Sequence, residues 1–171
     1  MDGLVAQART QLWEMVSEMQ LDENDQERTV SVALYQYGNN RLDKSHGFIE
    51  QLTPLTTDLD EVAVKLHALR TSGGNEYATM AIQRAAEELD WNTDDNVDKM
   101  IVIAGNEGFF QGPVSSSVVK SVGSEYDIAV IPIYCANSGA SQSAINSWRR
   151  AAHLAGTDFD SIDPDLSLIH I

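Results

Sequence analysis

The chain has 171 residues, of which 43% are hydrophobic, and this is enough to build the core of one domain. Its 11 basic and 26 acidic residues give a formal net charge of −15, so we expect no binding to nucleic acid or to anionic membranes, which would be repelled. No apolar run approaches the roughly 18 residues that span a bilayer, so direct membrane insertion is not expected. The acidity is typical of a solvated surface and is also compatible with cation binding.

Helical and strand patterns alternate along the first half of the chain. Apolar residues at helical spacing predict a helix over 3–20, and a β-branched, aromatic run predicts a strand over 29–37 that is covered on both faces. A weaker strand is predicted over 47–55. Asp58 and Glu61 then form a capping box, which predicts the start of a second helix.

The second half continues the alternation after a Gly-Gly segment at 71–76. The predicted elements are a helix with an inner face from 77 to 89, a buried strand at 99–104, a helix from 113 to 120, a buried strand at 127–134, a helix at 141–155 and a short strand at 158–162. Pro132 lacks an amide donor, which predicts an irregularity or a place near the sheet edge. Such alternation predicts a layered α/β sheet in a single domain.

Several segments occur in an order that is more specific than any one of them. They are LYQYGNN, LTPLTTDLD, LRTSGGNEYATMAI, MIVIAGNEGFFQGP and VIPIYC, followed by a Trp-bearing helix and AGTDFDSID. This succession resembles bacterial von Willebrand factor A-type (VWA) domains over about residues 2–163. The resemblance implies an α/β fold with three layers, a Rossmann-like, doubly wound and mostly parallel sheet, in a domain that covers residues 1–165.

The resemblance also implies that part of the domain is missing. The family fold has a central first strand that ends in a D-x-S-x-S loop, and this sequence contains neither that strand nor the motif. Met1 falls about where the residue after the final Ser of that loop would stand. We therefore expect an N-terminally truncated VWA-like domain whose neighbouring strands are left unpaired, which favours aggregation.

The last six residues, 166–171, have the sequence LSLIHI. They resemble the in-frame translation of an adapter used in sequencing libraries. We expect a non-native tail here, and the alternative is an ordinary apolar C-terminus.

A metal-ion-dependent adhesion site (MIDAS) is a further implication of the resemblance. In the family, the D-x-S-x-S loop, a Thr from the Gly-Gly loop and an Asp after the fourth strand hold Mg²⁺, which binds a carboxylate of a partner protein. Glu76 stands at the Thr position, and Asn106 or Glu107 stands near the Asp position. Oxygen ligands suit a hard cation, so these three residues are predicted partial metal ligands if the missing loop is supplied. The alternative is that Glu76 only stabilises a helix N-terminus.

Phe109, Phe110 and Gln111 follow a predicted strand, at the edge where open α/β sheets place their binding sites. Exposed aromatic side chains there would suit a surface that recognises a protein partner. The alternative is that they fold back into a small core of the loop.

These expectations favour a non-enzymatic module that binds a protein partner at the C-terminal edge of the sheet. The alternatives are a Rossmann-like enzyme domain acting on a small molecule and a metal-free structural VWA domain. Cys135 follows a strand, but no Cys-His-Asp constellation accompanies it, and G-x-G-x-x-G, P-loop and G-x-S-x-G patterns are missing from the sequence. The resemblance implies export or membrane tethering, while the residues themselves leave the compartment open.

Overall fold

The computed structural model describes residues 2–21, 26–70, 73–136 and 139–162, without the side chains of 2–7 and 162. The predicted tail, 166–171, and residues 71–72 of the Gly-Gly segment lie outside this part. The helices are α1 (Asp2–Met19), α2 (Leu59–Ala68), α3 (Ala78–Glu88), α4 (Val118–Tyr126) and α5 (Gln142–Ala155). The strands are β1 (Val32–Tyr37), β2 (Ile49–Thr56), β3 (Met100–Gly105), β4 (Ala129–Cys135) and β5 (Asp160–Ile162).

The strands form two separate groups. β1 and β2 pair antiparallel, with Tyr37 opposite Ile49. β3, β4 and β5 form a parallel sheet in that spatial order, with Gly105 opposite Tyr134. The predicted mixed α/β architecture with parallel strands joined through helices is therefore confirmed.

The parallel sheet is covered by helices on both faces. One core contains Ile101 and Ile103 of β3 together with residues of α3, α4 and α5. The alternate positions, Val102 and Ala104, pack instead with Ala8, Leu12 and Met15 of α1. Side chains of a strand alternate between its faces, so burial on both sides explains why the strand sequences are continuously apolar. Within the described residues, no helix combines the length and apolarity needed to cross a membrane.

Local signals placed several helix ends correctly. The carboxylate of Asp58 accepts a hydrogen bond from the N–H of Glu61 at 3.1 Å, which is one half of the predicted capping box. Gly156 ends α5 in the left-handed conformation at φ 72°, as its position after the helical pattern predicts.

The helix predicted over 113–120 is wrong in position, because α4 begins at Val118 and continues to Tyr126. The hydroxyl of Ser115 accepts hydrogen bonds from the N–H and the hydroxyl of Ser117, and such local bonds compete with helix formation. Pro132 lies in the middle strand of the parallel sheet, but β5 pairs with β4 only from Ile133 onward. No described strand therefore pairs with β4 opposite Pro132 on that side.

Truncation of Ile82 tests where the main core lies. Its side chain has no exposed surface, so Ile82→Ala leaves a cavity and should lower the free energy of unfolding by about 2–5 kcal/mol. The matched control, Val64→Ala, alters a side chain that is 68% exposed and should change it by less than about 0.5 kcal/mol. Urea unfolding followed by circular dichroism measures both, and equal effects would contradict the described core.

Candidate functional site

The carboxyl ends of β1, β3 and β4 meet at one edge of the molecule, which we call the carboxyl edge. The hydroxyl of Tyr37, the last residue of β1, donates a hydrogen bond to the carbonyl of Ala104 in β3 at 2.8 Å. Cys135 ends β4, which runs parallel to β3. Binding sites of open α/β sheets form at such edges, and this edge contains the predicted site residues.

Glu76 projects into the carboxyl edge from the segment before α3. Its Oε2 accepts a hydrogen bond from the backbone N–H of Glu107 at 3.3 Å, and the backbone N–H of Asn106 also donates to this carboxylate. The structure thus brings Glu76, Asn106 and Glu107 together, through main-chain groups of the loop after β3. The side chain of Glu107 itself is exposed, whereas Asn106 and Glu76 are half-buried.

Two glycines make room for Glu76. A Cβ atom on Gly38 would lie 2.6 Å from the Cγ of Glu76, and Gly38 also has a left-handed φ of 77°. A Cβ atom on Gly105 would lie 2.5 Å from the Tyr37 hydroxyl and 3.0 Å from Oε2 of Glu76. A side chain at Gly38 would displace the side chain of Glu76, and one at Gly105 would first displace Tyr37 and Trp148, so the two glycines leave the room in which the carboxylate lies.

Burial dominates the electrostatics of this edge. Desolvation raises the pKa of Glu76 above its usual value of 4.5, although the N–H groups of Glu107 and Asn106 oppose this shift. Desolvation, followed by the nearby charge of Glu76, also raises the pKa of the Cys135 thiol to about 12. Cys135 is therefore a protonated, buried thiol at neutral pH, which is the opposite of an activated nucleophile.

Helix α5 holds the loop after β3. The indole N–H of Trp148 donates to the carbonyl of Glu107 at 2.7 Å, and the hydroxyl of Ser147 accepts from the N–H of Phe109 at 2.9 Å. The Phe109 ring has no exposed surface and packs edge-on against Trp148, with ring centroids 4.7 Å apart. Phe109 therefore follows the second of the two alternatives that the sequence left open, because its ring folds back into the core and has no exposed surface for a partner.

Phe110 and Gln111, in contrast, are both half-buried. The Arg150 guanidinium lies 5.1 Å from the centroid of the Phe110 ring, a favourable cation–π arrangement. Both residues keep exposed surface beside the carboxyl edge, and their role in partner binding stays a prediction.

Several solved structures resemble this chain, and two of them are compared with it. The first is a crystal structure of an aerotolerance-related membrane protein from Bacteroides fragilis with multiple mutations to serines; it shares 14% identity, with a TM-score of 0.62 over 93% of this chain and 81% of that chain. The second is the VWA domain of SpRpn10, with 17% identity and a TM-score of 0.57 over 92% of this chain and 76% of that chain. Neither a family model nor a curated protein sequence matches. The chain therefore has the α/β, Rossmann-like VWA fold that its sequence predicts.

The donor set at the carboxyl edge is too small for the magnesium ion that the fold family implies. Within the described part of the chain, no group of three or more His, Cys, Asp or Glu side chains could hold a metal ion. The carboxylate of Glu76 already accepts hydrogen bonds from the main-chain N–H groups of Glu107 and Asn106, whose dipoles oppose a cation. The residues present do not fit bound Mg²⁺ by themselves, and the ligand roles of Glu76, Asn106 and Glu107 stay a prediction that requires additional ligands.

Tyr37 and Trp148, which position this site, were not among the residues predicted from the sequence. Tyr37 joins β1 to β3, and Trp148 joins α5 to the loop after β3. A signal was available, since a buried Tyr or Trp usually needs a partner for its polar atom. The identity of that partner depends on tertiary contacts between distant segments.

Replacing Glu76 tests its raised pKa. A carboxyl whose folded-state pKa lies above the unfolded value favours the folded state at low pH, and this contribution is lost as pH rises through the folded-state pKa. Glu76→Gln stays neutral, so its stability relative to the unaltered protein should increase from pH 4 to pH 7. Urea unfolding across this range measures the difference.

The matched control is Glu125→Gln, an exposed carboxylate on α4. Its stability difference from the unaltered protein should change little across the same pH range. A pH dependence for Glu76→Gln no larger than that of the control would show that burial does not control the ionisation of Glu76.

Proposed function

We propose that the predicted domain, residues 1–165, is a non-enzymatic module that binds a protein partner at its carboxyl edge. The proposal is supported by the VWA fold, which is commonly used for protein interaction, and by one observation at the site. That observation is a loop after β3 that is fixed to α5 by Trp148 and Ser147 while Phe110 and Gln111 keep exposed surface.

A fixed loop favours recognition for an entropic reason. Ordering a mobile loop upon binding opposes association, whereas a loop already held by hydrogen bonds loses little freedom. Phe110 supplies a partly exposed aromatic surface, the type of side chain that contributes most in protein interfaces. The net charge of −15 favours a neutral or basic partner surface and opposes nucleic acid.

The non-enzymatic part of the proposal rests on the chemistry of the carboxyl edge. The Cys135 thiol has a pKa of about 12, so it is not poised for attack on a substrate. Glu76 is engaged by main-chain N–H groups, which hold it in place. A protonated thiol and a carboxylate held by main-chain hydrogen bonds favour a structural role for both side chains over a catalytic one.

A selection of peptides tests the proposed surface. Peptides selected from a displayed library on the unaltered protein should bind Gln111→Ala and Phe110→Ser at least about tenfold more weakly. The control Val64→Ser, which changes an exposed residue on α2, should retain their affinity. Fluorescence anisotropy measures each affinity, and thermal unfolding shows that each variant remains folded. Selected peptides that bind both loop variants as tightly as the control would contradict the proposal.

The metal part of the proposal is conditional. We propose that Glu76 becomes a ligand of Mg²⁺ only when a D-x-S-x-S loop supplies further oxygen ligands, as the resemblance implies. Calorimetric titration of the 171-residue protein with magnesium chloride should show no saturable heat. A protein extended by a strand that ends in such a loop should bind, and Glu76→Gln should weaken that binding by at least about tenfold.

The carboxylate control for this titration is again Glu125→Gln, which should leave the affinity of the extended protein unchanged. If the extended protein does not bind magnesium, the metal part of the proposal is wrong. The peptide-binding test of the Phe110 and Gln111 variants is independent of that result. Equal binding by the Glu76→Gln variant would assign the ion to other ligands.

A further inference from the structure

The outer surface of α5 carries positive charge in a strongly acidic protein. Asn146, Arg149, Arg150 and His153 are exposed on this helix. They stand at positions i, i+3, i+4 and i+7, so they form one stripe along the helix, on the side opposite the buried Trp148. We call this stripe the arginine face.

The segments that build this side of the molecule contain no acidic residue. The chain has 26 Asp and Glu residues, but none lies within residues 128–157, which include β4 and α5. None lies within residues 108–124 either, which include most of the loop after β3 and most of α4, the helix that packs beside α5. The arginine face is thus a positive surface in a chain whose formal net charge is −15.

Aromatic rings hold both guanidinium groups of the arginine face. The Arg150 guanidinium lies 5.1 Å from the centroid of the Phe110 ring, and that of Arg149 lies 5.1 Å from the centroid of the Phe159 ring. Within the described residues, neither arginine side chain donates a hydrogen bond or forms an ion pair, since the salt bridges there join other residues. Contact with a ring does not consume the N–H donors of a guanidinium. Both arginines are therefore positioned and still able to bind an anion.

We propose that the arginine face binds an acidic segment of the protein partner, through carboxylates that accept hydrogen bonds from Arg149 and Arg150. A planar guanidinium can donate two parallel N–H···O bonds to one carboxylate, and such charge-assisted pairs are stronger than bonds between neutral groups. Phe110 contacts Arg150, so one segment can cover the arginine face and the exposed surface of Phe110 together. This inference rests on the proposed function, because it names the chemistry of the partner that binds beside the carboxyl edge.

The net charge of the whole chain is compatible with an acidic segment at this surface. Net charge acts on the approach of a partner, whereas charges farther apart than a Debye length of about 8 Å are largely screened at physiological ionic strength. At contact, the side chains of the arginine face therefore decide the preference. An acidic segment on a partner that is neutral or basic as a whole satisfies both conditions. Nucleic acid is still disfavoured, because it is negatively charged along its entire length.

Peptides selected from a displayed library on the unaltered protein test this inference. They should be enriched in Asp and Glu, and analogues with Asn and Gln at those positions should bind at least about tenfold more weakly. The double variant Arg149→Gln/Arg150→Gln should also bind the original peptides at least about tenfold more weakly. The matched control, Arg28→Gln/Lys65→Gln, removes two exposed positive charges elsewhere and should keep the affinity within about twofold. Fluorescence anisotropy measures each affinity, and thermal unfolding shows that each double variant is folded.

Salt dependence separates an electrostatic role of the arginines from a purely structural one. Raising sodium chloride from about 0.05 M to about 0.5 M should weaken peptide binding to the unaltered protein several-fold, because added salt screens the ion pairs. The same change should have little effect on binding to the arginine double variant. An equal salt dependence of the two proteins would overturn the inference.

The outcomes also distinguish this inference from the proposed function. Selected peptides that lose affinity for Phe110→Ser but not for the arginine double variant would overturn the inference and retain the proposed function. Acidic peptides that need the arginines but neither Phe110 nor Gln111 would support the arginine face and contradict the role proposed for the loop. Analogues with phosphoserine in place of Asp or Glu that bind at least about tenfold more tightly would overturn the carboxylate assignment in favour of a phosphorylated segment. Failure to select any binding peptide would contradict both proposals.

Discussion

Burial of β3 and β4 on both faces is the constraint on which the other features of the molecule depend. Ile101 and Ile103 of β3 face the core formed with α3, α4 and α5, whereas Val102 and Ala104 lie on the side of α1. A strand that has lost water on both faces must be apolar throughout, and its backbone must be paired laterally. Polar chemistry is then confined to the strand ends, where the loops leave the core.

The carboxyl edge shows how that confinement fixes a polar group. Glu76 has little freedom, since Gly38 and Gly105 allow its close approach and the loop amides bind its carboxylate. Trp148 holds the same loop through a hydrogen bond to the carbonyl of Glu107. Its indole belongs at the same time to the main core. Core packing and site geometry are thereby coupled through one helix.

Local patterns in the sequence were enough to predict the fold class and most of the elements, although the helix predicted over 113–120 lies at Val118–Tyr126. Continuous apolar runs predict β3 and β4 because both faces are buried, and Asp58 and Gly156 mark helix ends through bonds within a few residues. The different burial of Phe109 and Phe110 could be known only from the tertiary structure, because the two are neighbouring residues of the same type. Phe109 is buried because α5 places Trp148 against it, and no local pattern encodes that contact. The burial of Glu76 likewise depends on Gly38 and Gly105, which lie far from it in sequence and approach it only in the folded protein.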